Sequence, residues 1–329
     1  MFDYIKKINL QLFAELNTNV TTDAGLSVEN KTFYDMTLID EASPNLVHDQ
    51  FGQKRPIPAN GGKKIEFRKF ASLPKATTPL TEGVTPDGKK LEAEKIEAEV
   101  AQYGDYIVQS DVLELTSIDN TIVEATKILG RQAGLTLDTI TRNVMQSGTN
   151  VYYCPKADGT EVTSRAALDA TCKLTVDVVK RVVAILKKNN APKINGDYVA
   201  IIHPYVSYDV MSDPAWIEAH KYATPENIYE GEIGKLAGVR FVETSEAKVY
   251  ENGVFGCLFL ADGAYGVTEI TGGGLETIIK QKGSAGTADP LNQRSSIGWK
   301  AIKAAEILVE PYMMRVECKS AFSADAEAN

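Results

Sequence analysis

The chain has 329 residues, 43% of them apolar and 24% charged, with 35 Lys and Arg against 44 Asp and Glu for a formal net charge of −9. That composition excludes a wholly disordered chain, and the length suits about two domains or one large elaborated one. The acidic balance argues against a protein that coats DNA through its phosphates, because such binding follows the number of phosphates neutralised by basic side chains.

No run approaches the ~20 apolar residues that span a bilayer. The N-terminal MFDYIKKINLQLFAEL carries Lys6 and Lys7, but Asn9 and Gln11 interrupt its apolar part, so it does not read as a signal peptide. Cys154, Cys172, Cys257 and Cys318 contain no C-x-x-C pair. A Cys154–Cys172 bridge is open by position, but a reduced, cytoplasmic chain is the preferred reading.

Residues 1–13 pattern as a short amphipathic helix with Phe2, Ile5, Ile8, Leu12 and Phe13 on its apolar side, followed by the polar linker LNTNVTTDAG. Residues 31–42 pattern as a second helix, carrying Phe33, Met36 and Leu38–Ile39 and stopped by Pro44. Residues 63–110 read as a long hairpin. KKIEFRKF supplies one strand, LEAEKIEAEVAQYGDYIVQ one or two more, and Pro86-Asp87-Gly88 marks a turn in the Pro- and Thr-rich connection. It offers little apolar surface to bury against its own domain. Its charges are segregated: Lys63, Lys64, Arg68 and Lys69 sit on the first side, and Glu92, Glu94, Glu97 and Glu99 on the second. Two readings stay open. One is a solvated charged hairpin; the other is an arm that leaves its subunit and lies on a neighbour, its charges fixing register more than adding affinity.

Ile118, Ile122, Thr126, Leu129, Ala133, Leu137, Ile140 and Val144 recur at three- and four-residue steps, which predicts a helix of nearly 30 residues over 118–147. Gly130 and Gly134 weaken it by about 1 kcal/mol each relative to Ala and permit a close crossing or a bend. A turn-rich insertion at about 150–172 centres on Asp158-Gly159. Leu174–Asn189 patterns as a helix with Thr175 as N-cap and Val178, Val179, Val182, Val183 and Leu186 buried. Strands are expected at 197–204, 238–243, 254–260, 265–270, 275–280, 299–303, 305–310 and 312–318, with a terminal SADAEAN tail. Helices mixed with largely antiparallel strands give an α+β class.

No catalytic site can be nominated. His48, His203 and His220 fit structural or surface roles better than catalytic ones, and pairing Cys154 or Cys257 with His203 has no local motif behind it. Phosphate-loop, nucleophile-elbow and zinc-helix motifs are missing. Gly272–Gly274 leads into a strand and Gly283–Gly286 into a loop, so neither presents a helix N-terminus to a phosphate. No cofactor or metal is expected.

The order of parts (N-arm, extended hairpin, long helix, α+β domain, closing strands) resembles the major capsid protein of tailed phages, the Hong-Kong-phage-type or Johnson fold. The most specific stretches are GVRFVET at 238–244, DGAYGVTEI at 262–270, GSAGTADPLNQRSSIGWKA at 283–301 and EPYMMRVEC at 310–318, which resemble a capsid family common in phages and prophages of Gram-positive bacteria. The resemblance implies an N-arm at 14–59 and an E-loop hairpin at 60–110. A peripheral domain with spine helix and insertion follows at 111–173, then an axial domain at 174–282 and returning strands with a tail at 283–329. It implies a non-enzymatic subunit that forms pentamers and hexamers with its own copies and builds an icosahedral shell around double-stranded DNA without sequence-specific contact. A scaffold protein and a portal would be assembly partners, host cytoplasm the place of assembly, and the virion capsid the destination. NLQLFAEL at 9–16 is similar to a short segment of Gram-positive structural precursors that a host cysteine protease cleaves, which places the scissile bond at Phe13–Ala14 and implies loss of residues 1–13. The rival readings are a scaffold or other phage-derived structural protein, and an enzyme of unrecognised type.

Overall fold

The computed structural model describes residues 18–19, 47–58, 62–70, 73–80, 82–83, 85, 87–117, 121–221, 234–269, 275–284, 286–322 and 327–329. The helices expected at 1–13 and 31–42, the Phe13–Ala14 bond and the Gly272–Gly274 run lie outside these residues.

In chain order the strands are β1 (Thr18–Asn19), β2 (Gln53–Lys54), β3 (Lys64–Phe70), β4 (Ala93–Glu99) and β5 (Ala101–Ser110). Helices α1 (Asp111–Thr116) and α2 (Thr121–Gln146) follow, then β6 (Val151–Tyr153), α3 (Val176–Lys188), β7 (Tyr198–Ile202), α4 (Pro204–Met211) and α5 (Pro214–Lys221). The remaining strands are β8 (Lys235–Leu236), β9 (Val239–Glu243), β10 (Val249–Tyr250), β11 (Val254–Leu260), β12 (Tyr265–Glu269), β13 (Glu276–Lys280), β14 (Arg294–Ile307) and β15 (Met313–Cys318). The class is α+β, as the pattern of elements predicts. The long helix is present as α2, with 26 residues against the nearly 30 expected, and Asp111–Thr116 ahead of it forms a helix of its own under a Ser110 cap. The strands expected at 299–303 and 305–310 are one 14-residue strand that starts earlier, at Arg294.

The chain divides into two compact units: residues 1–42, 104–133 and 275–300, and residues 43–103, 134–274 and 301–329. Elements α2 and β14 contribute residues to both.

In the first unit β13 runs antiparallel to β14, from Glu276 opposite Lys300 to Lys280 opposite Ser296. Strand β5 passes so close to β14 that a Cβ on Gly298 would lie 2.7 Å from Cβ of Tyr106. Glycine is required there by proximity. Gln132 ties the helix to both strands, donating to Asp105 at 2.8 Å and accepting from the Trp299 indole at 3.3 Å.

The second unit is built on a seven-stranded sheet of order β6-β15-β11-β7-β9-β8, with β10 also on β11. All five residues of β7 and all seven of β11 are buried, so these central strands read as unbroken apolar runs with no alternation. Helix α3 packs its Val178, Val179, Val182, Val183 and Leu186 face into the main core. The side chain of Thr175 accepts the Val178 N–H, and Lys187 and Lys188 stand in the last turn, where cations favour the helix dipole. The end is a Schellman stop. Asn190 adopts φ 53°, its N–H bonds to Lys187 O, and Ala191 N–H bonds to Leu186 O. Helix α4 starts with Pro204 at a position whose N–H needs no partner, and the His203 imidazole accepts the Tyr205 N–H at 3.1 Å as its cap. In the insertion a tight turn at Lys156–Thr160 holds Gly159 at φ 84°, so the Asp158-Gly159 turn stands where the sequence puts it.

Candidate assembly interface

Strands β3 and β4 form the antiparallel hairpin, with Lys64 opposite Glu99, Glu66 opposite Glu97, Arg68 opposite Lys95 and Phe70 opposite Ala93. Its two halves differ. Along the strands, side chains alternate between faces, and the sequence K-I-E-F-R supplies apolar residues at every second position. Phe67 and Ala98 are 4% and 2% exposed and form a core cluster with Ile57, Val100, Ala304 and Leu308. Gly266 of β12 makes room for the ring: a Cβ there would lie 3.0 Å from the Phe67 tip. The expectation that this hairpin buries little against its own domain is therefore corrected for its base, where a short period-2 apolar face seats it.

The opposite face carries the charges. Glu66 and Glu97 face each other, as do Arg68 and Lys95, and like charges directly opposite are unfavourable. Lys95 resolves the conflict by reaching Glu66 and Glu97, each at 2.6 Å, while Lys64 lies 3.6 Å from Glu97 and Arg68 3.7 Å from Glu66. Its hydrogen bonds to Glu66 and then Glu97 raise the Lys95 ammonium above its ordinary value, and the bond from Lys95 lowers the Glu97 carboxyl. Of the charges singled out from sequence, Lys63, Lys64, Arg68, Glu92, Glu97 and Glu99 are all exposed. The side chains of Lys69 and Glu94 lie outside the described set. Lys64, Arg68 and Glu97 thus have partners within the hairpin itself, and Lys95 and Glu66, which sequence reasoning passed over, connect them.

Beyond the strands the picture changes completely. Every described residue from 73 to 92 is exposed, and three of them are leucines: Leu73, Leu80 and Leu91 at 57%, 77% and 67%. A loop that keeps three leucines in water makes no contribution to its own core.

A second polar arrangement, invisible to motif reading, lies where residues 47–51 meet the C-terminal half of α2. His48 is fully buried; its Nδ1 is 2.6 Å from Asp138 Oδ2, and its N–H donates to the other carboxylate oxygen at 2.9 Å. Asp49 accepts from the Thr141 hydroxyl at 2.5 Å and pairs with Lys303 of β14, whose ammonium also donates to Leu137 O at 2.9 Å. Three chain segments are pinned together by buried hydrogen bonds and the Asp49–Lys303 ion pair, which is structural work for His48.

The other residues considered for chemistry do not converge. All four cysteines are buried and unbridged; Cys154, Cys257 and Cys318 share one core, with Cys257 Sγ 3.9 Å from Cys318 Sγ. Burial, and then the Cys318 contact, push the Cys154 thiol well up; the Cys318 contact and burial do the same to Cys257. Protonated, water-excluded thiols are poor nucleophiles. His203 is occupied as a helix cap, its ring packed on Tyr205 and Phe255. His220 falls in α5, its side chain outside the described set. No group of three or more His, Cys, Asp or Glu suited to a metal occurs among the described residues, and no described helix is long and apolar enough to cross a membrane.

Residues 119–265 match the family model described as phage capsid protein. Comparison with curated proteins gives no match. Among solved structures the chain is similar to the capsid of cyanophage P-SCSP1u, with 14% identity, TM-score 0.66 and coverage of 84% of this chain and 88% of that one. The capsid of cyanophage Pam1 gives 13% identity, TM-score 0.64 and coverage of 80% and 86%. For the capsid of Ralstonia phage GP4 the values are 13% identity, TM-score 0.62 and 100% of both chains. Family match and fold agree: residues 119–265 resemble phage capsid proteins, and the fold is that of tailed-phage capsids. At such identities the structural likeness establishes the fold, and the family match supplies the capsid assignment. As a major capsid protein the chain is a structural component of the phage head. The candidate for an assembly interface is then the pair of features described above, an anchored hairpin base and an exposed distal loop.

Proposed function

We propose that the chain assembles as pentamers and hexamers into an icosahedral head around double-stranded DNA, and that residues 60–110 form the arm by which one subunit holds the next. The observation that carries this reading is the distal loop, with Leu73, Leu80 and Leu91 exposed on a hairpin whose base is seated in its own subunit. Rigid seating fixes the direction of the arm, and apolar side chains at its end supply a contact that only another molecule can bury. The charged face adds register, although its internal pairing leaves Lys63, Glu92 and Glu99 as the charges most open to a neighbour. The spine-helix region at 111–173 would serve as peripheral domain, 174–282 as axial domain, and 283–329 as returning strands and tail. Many modest contacts of this kind suit one sequence that must occupy slightly different environments.

The same reading makes the protein a non-enzymatic subunit that assembles in the host cytoplasm with a scaffold protein and a portal, and that lines packaged DNA without sequence-specific contact. Its net charge of −9 favours a wall from which DNA slides. Removal of residues 1–13 by a host cysteine protease at Phe13–Ala14 belongs to this proposal. Particles should then contain chains that begin at Ala14, and intact mass from purified heads showing only Met1 or Phe2 as first residue would refute the processing step.

The assembly reading is tested by replacing Ala76–Lys90 with a short Gly-Ser turn. The subunit should stay folded, with its circular dichroism and thermal midpoint nearly unchanged, while sedimentation shows shells replaced by capsomers or free subunits. Normal shells from the shortened chain would overturn the arm.

A further inference from the structure

In the first unit β13 is an edge strand. It bonds to β14 on one side, and no described strand lies along its other side. Its ladder runs without a bulge from Glu276 to Lys280, and the sequence LETIIK at 275–280 has neither proline nor glycine. Every second residue of such a strand points its N–H and C=O away from the sheet, where they template another strand. Edges are commonly blunted by a proline, a bulge or a central charge, whereas the middle of β13 is Thr277-Ile278-Ile279. Leu275, just before the strand, and Ile279 are 53% and 52% exposed. By the two-residue period of a strand they share one face, and Glu276, Ile278 and Lys280 share the other.

The two ends carry opposite charges. Glu276 reaches Lys300, directly opposite on β14, at 3.1 Å. Lys280 stands opposite Ser296 and has no carboxylate within ion-pair distance among the described residues. Two residues further on, Lys282 pairs with Glu114 of α1 at 3.0 Å, so the strand is tied into its own subunit beyond both ends of the apolar stretch. Laid antiparallel on a copy of itself about Ile278, the sequence E-T-I-I-K is self-complementary. Glu276 meets the copy's Lys280, Lys280 meets the copy's Glu276, and Ile278 meets Ile278. Ile279 lies diagonal to the copy's Ile279 and Leu275, within reach of long side chains. A parallel, in-register pairing would instead set Glu276 on Glu276 and Lys280 on Lys280, which is unfavourable. The charges select direction as well as register.

We propose that β13 is a docking edge for a second copy of this chain, the two strands pairing antiparallel about a two-fold axis at Ile278. The two sheets then join as one, in the order β5-β14-β13-β13-β14-β5. The contact is isologous, because the same five residues serve on both sides. On each side of the axis Lys300, Glu276 and the copy's Lys280 form one row of alternating charge across three strands. The occupant is a copy because its own β13 has the charge spacing that matches this edge. Five paired residues make a weak contact alone, and many such contacts add up in a closed assembly. In that respect the inference rests on the shell-forming reading, but it concerns a surface separate from the hairpin arm.

Cysteine cross-linking of the full chain reads the register, and all four native thiols are buried. Ile278→Cys sets two thiols face to face across the axis, so copper-phenanthroline oxidation should give a disulfide dimer on a non-reducing gel. Glu276→Cys alone leaves its thiols about four residues apart, on the order of 13 Å, past the ~7 Å Cα limit for a disulfide. Lys280→Cys alone does the same. Neither should dimerise by itself, yet an equimolar mixture of the two should, at least about tenfold above either alone. Both of these positions are exposed, so the mixture decides the matter if circular dichroism shows Ile278→Cys to be misfolded. Lys280→Glu added to Ile278→Cys leaves the Glu276–Lys300 pair in place and should cut the dimer yield about threefold or more.

Absence of dimer from both Ile278→Cys and the mixture would overturn the pairing. Equal cross-linking at all three single positions, the mark of random collision, would overturn it too. Dimers are scored in the sedimented and the soluble fractions. Normal shells without the cross-link would sink the strand pairing and leave the capsid reading intact; cross-linked dimers without shells would do the reverse.

Discussion

The base and the distal loop of the hairpin are parts of one continuous excursion of the chain, yet they obey different physics. At the base, alternate residues are apolar and Phe67 is 4% exposed; in the loop, no described residue is buried and three leucines face water. On the proposed reading, stability and association are separable along a single hairpin. A subunit that must fold before it assembles benefits from such a division, because the parts that wait for a partner are not the parts that hold the monomer together.

The comparison can be broken or sharpened by substitution. The largest effect is expected at the base. Phe67→Ala should cost about 3–5 kcal/mol, the range for removing a buried aromatic ring, and should lower the thermal midpoint of the isolated subunit. A midpoint within error of wild type would mean that the base is as detachable as the loop. Replacing Leu73, Leu80 and Leu91 together by Ser should shift stability by no more than about 0.5 kcal/mol, as for exposed positions generally, yet reduce shell yield in sedimentation. A large loss of monomer stability would erase the distinction between base and loop.

Smaller effects follow pH. The His203 imidazole is lowered by burial, and its neutral nitrogen caps α4, so the folded state binds fewer protons than the unfolded chain. Its stabilisation is complete above the unfolded value of ~6.5 and is lost as pH falls from there through the folded value. An imidazole titration by NMR with a midpoint at or above ~6.5 would contradict this. The smallest effect is expected on the charged face of the hairpin. Glu97, lowered by its bond from Lys95, contributes above the ordinary glutamate value and stops contributing as pH falls through its own. Carboxyl NMR should place its midpoint below ~4.3, and Lys95→Gln should raise it toward that value, with Lys64 still holding it down, without moving the thermal midpoint.

Local periodicity made much of this fold legible. Val178, Val179, Val182, Val183 and Leu186 mark α3 because a helix must present one apolar stripe, and the run Tyr198–Ile202 marks a central strand because both of its faces are covered. The same logic was available in K-I-E-F-R at the hairpin base, where the surrounding charges mask a two-residue period carried by Ile65 and Phe67 alone. The His48–Asp138 pair had no such signal. Its members are 90 residues apart, and neither lies in a spacing that chemistry requires.

The burial of every thiol has a practical side. Cys154, Cys172, Cys257 and Cys318 are each at 0–1% exposure, so maleimide reagents meet no native competitor on the folded chain. A cysteine introduced at the tip of the hairpin, for instance Thr78→Cys, becomes a single conjugation handle that needs no prior removal of cysteines. Its labelling rate would report directly on the state of the loop, fast in free subunits and slowed wherever a neighbouring copy lies over it.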